Sequence, residues 1–343
     1  MYQQFYGLRE LPFELTPNPR YLFLPRQPRE ALSTLVYGLS SVKGLTVLIG
    51  EAGMGKTTLL HAALQSESCR NVRAISLVNP TLTRSEFLEM LSLQFGLSSR
   101  AGQSKTALLT ELEAALRARR VRGQLTALII DEAQSLSDEI LEEIRLLANN
   151  ETPTEKLMAL VLAGQPELRD RLNGRQLRQL KQRVTLRCEL TPFSQHETAA
   201  YIASRIQTAG GDAARLFTRE AVMLIHERSR GIARTISVLC DNALLTGFGL
   251  GRKPVTYDTV LEVARDFDLY ESPGDVAQPE AEFEEPPAPA GPGVNLTFAP
   301  ATPPVETSPL ASATGAVASP QDERSLIGGV KAPVRFSLFG VRS

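Results

Sequence analysis

Several familiar signals are scarce in this 343-residue chain. Its three cysteines, Cys69, Cys188 and Cys240, are too few and too scattered for a disulfide framework or a metal cluster. Buried free thiols in a reducing compartment are therefore expected. The three histidines, His61, His196 and His226, stand apart on helix-like stretches without ligand spacing, which argues against a metal role. No run approaches the ~18 consecutive apolar residues of a membrane span. The opening Met1-Tyr-Gln-Gln-Phe-Tyr-Gly7 is neither basic nor followed by an apolar stretch, so no secretory leader is expected. Neither sign of charge dominates, with 37 Lys+Arg against 38 Asp+Glu. Residues 271–343 hold four of the basic and nine of the acidic side chains, leaving 33 against 29 over residues 1–270, a net of +4. That excess is too mild to argue for nucleic-acid binding by charge alone.

What the chain does have is a loop built for phosphate. The run Leu45-Thr-Val-Leu-Ile49 leads directly into Gly50-Glu51-Ala52-Gly53-Met54-Gly55-Lys56-Thr57-Thr58. Gly50, Gly55, Lys56 and Thr57 fill the G-x-x-x-x-G-K-[ST] pattern, and Gly53 adds a further glycine. Glycines let the backbone curl until successive N–H groups face phosphate oxygens. The next residues are helix-prone, so the positive end of a helix faces the same anion. On this reading Lys56 reaches the β/γ-phosphates of ATP and the Thr57 hydroxyl ligates Mg²⁺. Downstream, Ala127-Leu-Ile-Ile130 is an apolar run ending in Asp131-Glu132-Ala133-Gln134. An acidic pair at the carboxyl end of a buried strand reads as the partner of such a loop. Asp131 would hold Mg²⁺ through water, and Glu132 would polarise the water that attacks the γ-phosphate.

With 43% hydrophobic residues, the chain has enough apolar content for two domains with real cores. Residues 1–28 are rich in aromatics and prolines and read as an extended lead-in packed on the body. Strands are expected at 45–49, 73–78, 127–131, 157–163 and 184–190, with helices at 29–42, 84–96, 105–120 and 137–149. That alternation implies a five-stranded parallel sheet covered by helices, an α/β nucleotide-binding domain over 29–192. Thr83–Glu86 and Ser194–Glu197 have the spacing of capping boxes. From Ser194 the strands stop, and helical patterns to about 209, then at 218–230, 232–248 and 256–267, form a small helical domain over 193–268. Residues 269–343 hold 12 of the 22 prolines from position 271 on and read as a disordered tail. Within it, Val334, Phe336 and Leu338 alternate with polar residues, which reads either as a hydrophobic chain end without a role or as a strand-like run of the kind that adds to a partner's sheet edge.

Together these residues resemble the ExeA/GspA group of AAA+ ATPases. The resemblance lies in Met1-Tyr-Gln-Gln-Phe-Tyr-Gly-Leu-Arg-Glu-Leu-Pro-Phe13, Thr16-Pro-Asn-Pro-Arg20-Tyr-Leu-Phe23, the phosphate loop, and Ile130-Asp-Glu-Ala-Gln134. It continues through Leu162-Ala-Gly-Gln-Pro-Glu-Leu168, Gln182-Arg183 and Gly231-Ile-Ala-Arg234, and covers roughly residues 1–268. It implies a P-loop NTPase of AAA+ type with a helical lid, which binds and hydrolyses ATP with Mg²⁺. It also implies self-assembly, for example into a hexameric ring, and service to a secretion, pilus or exopolysaccharide export apparatus. ExeA itself continues into a membrane helix and a peptidoglycan-binding domain. Neither is seen here, so a cytoplasmic engine is expected, peripheral at the inner membrane through a partner. Related folds serve in transposition, which leaves a DNA-linked or nucleotide-gated switch as the alternative.

The resemblance also assigns roles to single residues. Gln165, after the fourth strand, occupies the sensor-1 position that helps orient the attacking water; a turn-capping glutamine is the plain alternative. Arg183, before the last strand, occupies the arginine-finger position that enters a neighbour's site, with Arg178 and Arg187 nearby and a solvated helix end as the alternative. Arg234 occupies the sensor-2 position. A cation at a helix N-terminus opposes the helix dipole, so a purely structural role accounts for it less well.

Overall fold

The computed structural model describes residues 1–269 except Pro17, 78–81 and 153–154. The expected tail and its run at 334–338 lie outside the described residues. A helical turn, α1 (Tyr2–Tyr6), and a long helix, α2 (Arg26–Ser40), precede the alternation. It runs β1 (Leu45–Ile49), α3 (Lys56–Gln65), β2 (Val72–Leu77), α4 (Arg84–Phe95), α5 (Ser99–Gln103), α6 (Lys105–Val121) and β3 (Leu125–Ile130). It continues with α7 (Asp138–Leu147), β4 (Ala159–Gly164), α8 (Pro166–Asn173), α9 (Arg178–Lys181) and β5 (Val184–Glu189). The strands form one parallel sheet in the order β2-β3-β4-β1-β5.

A parallel sheet is buried on both faces, and the side chains here divide by strict alternation. Leu45, Val47 and Ile49 of β1, Leu128 and Ile130 of β3, and Leu160 and Leu162 of β4 face one layer with α4, α6, α7 and α8. Leu48, Ala127, Ile129, Ala159, Val161 and Ala163 face the other, under α2 and α3. Larger side chains on the first face and alanines on the second let α2 and α3 approach closely. The first layer is also tied by charge. Glu143 of α7, only 7% exposed, accepts from Arg84 at 2.7 Å and Lys105 at 2.9 Å. At the carboxyl end of the sheet, Ile49 stands level with Gly164 and Ile130 with Leu162. The loops after β1, β3 and β4 therefore leave from one edge, where open α/β sheets bind ligands.

The chain then becomes helical: α10 (Gln195–Thr208), α11 (Ala213–Leu216), α12 (Arg219–Ser229), α13 (Ala233–Gly249) and α14 (Tyr257–Asp266). Both expected capping boxes form, at Thr83/Glu86 and at Ser194/Glu197. Gly231 makes the turn into α13 at φ 74, and a Cβ there would lie 2.2 Å from the Phe193 carbonyl oxygen. The lead-in differs from a purely extended segment. It begins with α1, closed by Gly7 at φ 71, and Tyr2, Tyr6, Leu8 and Phe13 enter the core of the helical layer beside Tyr201, Ile206 and Leu244. Burying aromatic rings outweighs the extended preference that the prolines suggest. All three cysteines are free and buried. Among the described residues, no helix is long and apolar enough to cross a membrane.

Candidate functional site

The loop after β1 is shaped by two glycines in the left-handed region, Gly53 at φ 81 and Gly55 at φ 90. Gly55 caps α3 with no side-chain hydrogen bond, and the first turn of α3 carries no acidic residue. Its N–H groups are thus left for an anion. Lys56 is 5% exposed, and its Nζ donates to the carbonyls of Gly50 at 2.9 Å and Glu51 at 3.1 Å. Burial lowers the Lys56 pKa, and Glu132, Asp131 and Glu167 oppose that shift without cancelling it. Met54 turns its side chain into the core, so only its backbone serves the loop. Glu51, Ala52 and Thr57 are exposed, and Thr58 is half-buried.

The Thr57 hydroxyl donates to Asp131 Oδ2 at 2.5 Å across 74 residues of sequence. A hydroxyl and a carboxylate converging on one point are hard oxygen donors, which suits Mg²⁺. Among the described residues, no group of three or more His, Cys, Asp or Glu gathers to hold a metal, at this site or away from it.

Glu132 follows at φ 52, a left-handed conformation rare outside glycine. Its Oε2 accepts from Gln134 Nε2 at 2.6 Å and Gln165 Nε2 at 3.2 Å. Burial pushes its carboxyl pKa up, but those two hydrogen bonds and the Lys56 charge outweigh burial and leave it below the ordinary range. The two amides thus hold the carboxylate in place and favour its charged form.

Arg234 approaches from the helical layer. Its backbone N–H donates to the Gly53 carbonyl at 3.1 Å, and its side chain joins Lys56, Thr57, Thr58 and Glu132 around a cleft of ≈ 330 Å³. Gln165 reaches the same group of residues through Glu132. Arg183 does not. It is exposed and sits just before β5, whose first residue pairs with Leu45 at the opposite end of the sheet. Of its neighbours, Arg178 is exposed, and Arg187 pairs with Glu189 on its own strand at 3.3 Å.

Three contributors carry no role in the sequence reading. Gln134 stands inside the acidic motif but is silent until its partners are known. Glu14, Leu15, Thr16, Asn18 and Tyr21 of the lead-in wall the cleft. Arg205 holds that wall, donating to the carbonyls of Pro12 and Glu14 while its guanidinium lies 4.9 Å from the Tyr21 ring centroid. The aromatic richness of the lead-in was the available signal for the last two.

Residues 39–172 match the family described as AAA domain. The chain is 38% identical over 260 residues, 76% of its length, to general secretion pathway protein A of Aeromonas hydrophila. Over this span the chain is similar to GspA, and residues 39–172 to AAA domains. The match spans 47% of that relative, so the chain covers about half its length. The ATP-dependent target DNA activator B of Escherichia phage Mu is 26% identical over 75% of this chain and 76% of its own. Among solved structures, Cdc6p from Pyrobaculum aerophilum superposes with TM-score 0.59 at 18% identity, covering 74% of this chain and 70% of that one. The Aeropyrum pernix ORC2 protein, solved in ADPNP and ADP complexes, gives TM-score 0.55 at 18% identity over 76% and 72%. These structures share the fold: a P-loop α/β domain with a five-stranded parallel sheet.

Proposed function

We propose that this GspA-like protein binds ATP with Mg²⁺, hydrolyses it, assembles with copies of itself, and couples turnover to building or powering an envelope export apparatus from the cytoplasmic side. The observation that carries the enzymatic part is the meeting of Lys56, the Thr57–Asp131 pair and a doubly hydrogen-bonded Glu132 at one sheet edge. Lys56 and the N–H groups of 50–58 bind the phosphates. Thr57 and Asp131 would hold the metal ion, which when bound supplies positive charge against the phosphate oxygens. Glu132 orients the attacking water and accepts its proton, with Gln165 beside it, while Arg234 reaches the phosphates from the lid and Arg183 serves a neighbouring subunit. The export role rests on likeness to a secretion protein of which the chain spans half.

Two substitutions separate cradle from base. Lys56→Ala is expected to abolish nucleotide binding. Glu132→Gln should keep ATP bound and stop turnover, and near-normal hydrolysis by Glu132→Gln would remove that residue from catalysis. The phage Mu relative keeps a second reading in view, a DNA-linked or nucleotide-gated switch. Steady-state turnover with and without duplex DNA distinguishes it, since a DNA-linked protein changes rate on adding DNA.

A further inference from the structure

We infer that Gln134 and Arg171 form a positioning pair that holds the Glu132 carboxylate in place; the inference rests on the reading that Glu132 activates water. A glutamate at φ 52 is kept there only by its surroundings. The Gln134 side chain works at both ends. Its Nε2 donates to Glu132 Oε2 at 2.6 Å, and its Oε1 accepts the Gln165 N–H at 3.1 Å. That pairing fixes the amide orientation, because the flipped form would set an oxygen against the carboxylate and an NH₂ against a backbone N–H. The room for it comes from Gly164, where a Cβ would meet Gln134 Oε1 at 3.0 Å.

Arg171 holds the backbone that carries this amide. Its Nη1 donates to the carbonyls of Gln134 and Leu136, each at 2.7 Å, and its Nη2 pairs with Asp138. The arginine sits in the last turn of α8, whose N-cap is Gln165 and whose Leu168 and Leu172 are buried in the core. One short helix thus grips the 131–138 loop at both of its ends. Of the residues that line the cleft, Glu132 takes part in these contacts, and Lys56, Thr57 and Thr58 do not. Losing the grip should therefore spoil the aim of Glu132 and leave nucleotide binding alone.

The test uses the full chain with Gln134→Met, which keeps length without an amide, and Arg171→Lys, which keeps a charge toward Asp138 without the two-carbonyl grip. The expected result is a fall in kcat on the order of tenfold or more for Gln134→Met and about fivefold for Arg171→Lys. KM, the affinity for a fluorescent ATP analogue and Tm should stay essentially unchanged. Unchanged kcat in both variants, while Glu132→Gln is inactive, would overturn the pair. So would kcat, affinity and Tm falling together, which marks a simple loop brace. Normal turnover by Glu132→Gln would instead remove the reading on which the inference stands.

Discussion

The contact between the phosphate loop and the helical layer can be weighed by placing one methyl group in it. An alanine at position 53 would have to hold φ near 81, and its Cβ would lie 2.7 Å from Arg234 Cβ and 3.1 Å from Ile232 Cγ2. Non-bonded carbons settle at about 3.5–4.0 Å, so α13 must retreat by roughly 0.8 Å or more. That retreat strains the hydrogen bond from the Arg234 N–H to the Gly53 carbonyl, 3.1 Å long. The left-handed backbone costs about 1 kcal/mol relative to glycine, the lost hydrogen bond about 1 kcal/mol, and the overpacking about 1 kcal/mol more. Gly55 supplies the control. It has φ 90, and a Cβ there meets nothing within 4 Å, so Gly55→Ala carries the backbone cost alone. For a domain of this size about 1 kcal/mol lowers Tm by ~2–4 °C. Calorimetry of the nucleotide-free protein should therefore give a depression of roughly 9 °C for Gly53→Ala and roughly 3 °C for Gly55→Ala. Equal depressions, or the larger one at Gly55, would refute the idea that the helical layer is seated on the phosphate loop through Gly53.

Other substitutions probe the scaffold and the site. Removing the buried Glu143 carboxylate with Glu143→Ala strands Arg84 and Lys105. Because both cations are partly exposed, the expected loss is about 2 kcal/mol in urea unfolding, below the range for fully buried pairs. Thr83→Ala removes the capping box of α4 and should cost about 1 kcal/mol by the same measurement. Chelating Mg²⁺ with EDTA should stop turnover in the wild type, and restoring Mg²⁺ should recover it; turnover that survives full chelation would remove the metal role of Thr57 and Asp131. Mixing Arg183→Ala with Lys56→Ala subunits should recover some hydrolysis, each supplying what the other lacks. Turnover that is independent of protein concentration and shows no mixing rescue would refute the finger assignment.

The phosphate loop was readable because a cradle for phosphate is local: contiguous residues make it, and glycine reports the backbone shape directly. The Thr57–Asp131 meeting was readable for a different reason, since both motifs end strands of one sheet and parallel packing brings strand ends together. Gln134 and Arg171 were not readable. Each works through a partner distant in sequence, Gln134 on the backbone of Gln165 and Arg171 on that of Gln134, and no spacing rule announces either contact. Arg205 binds the lead-in across 193 residues, which only the folded helical layer can arrange. The helices α5, α8 and α9 span five, eight and four residues, too short for a helical period to stand out from composition. The strands were placed within two residues at each end; for the central β1, β3 and β4 an apolar run marks burial on both faces, whereas the edge strands β2 and β5 alternate buried or half-buried with exposed residues.

The placement of Arg183 carries one more consequence. The phosphate loop leaves the carboxyl end of β1, and Arg183 precedes the amino end of β5, whose Val184 pairs with Leu45. Five residues of strand at ~3.3 Å each separate those ends by ~16 Å, more than twice the reach of an arginine side chain. A rigid sheet does not shorten, so no motion of the lid brings Arg183 to its own Lys56. If an arginine from this segment completes the site, it completes a neighbour's, and each copy offers a cradle at one end of its sheet and a cation at the other. Head-to-tail pairing of unlike ends leaves an unused cradle on any open chain and closes only as a ring. Turnover per subunit should then rise with protein concentration until rings fill, whereas nucleotide affinity, which on this reading depends on Lys56 and the 50–58 loop of one copy, should not change with it.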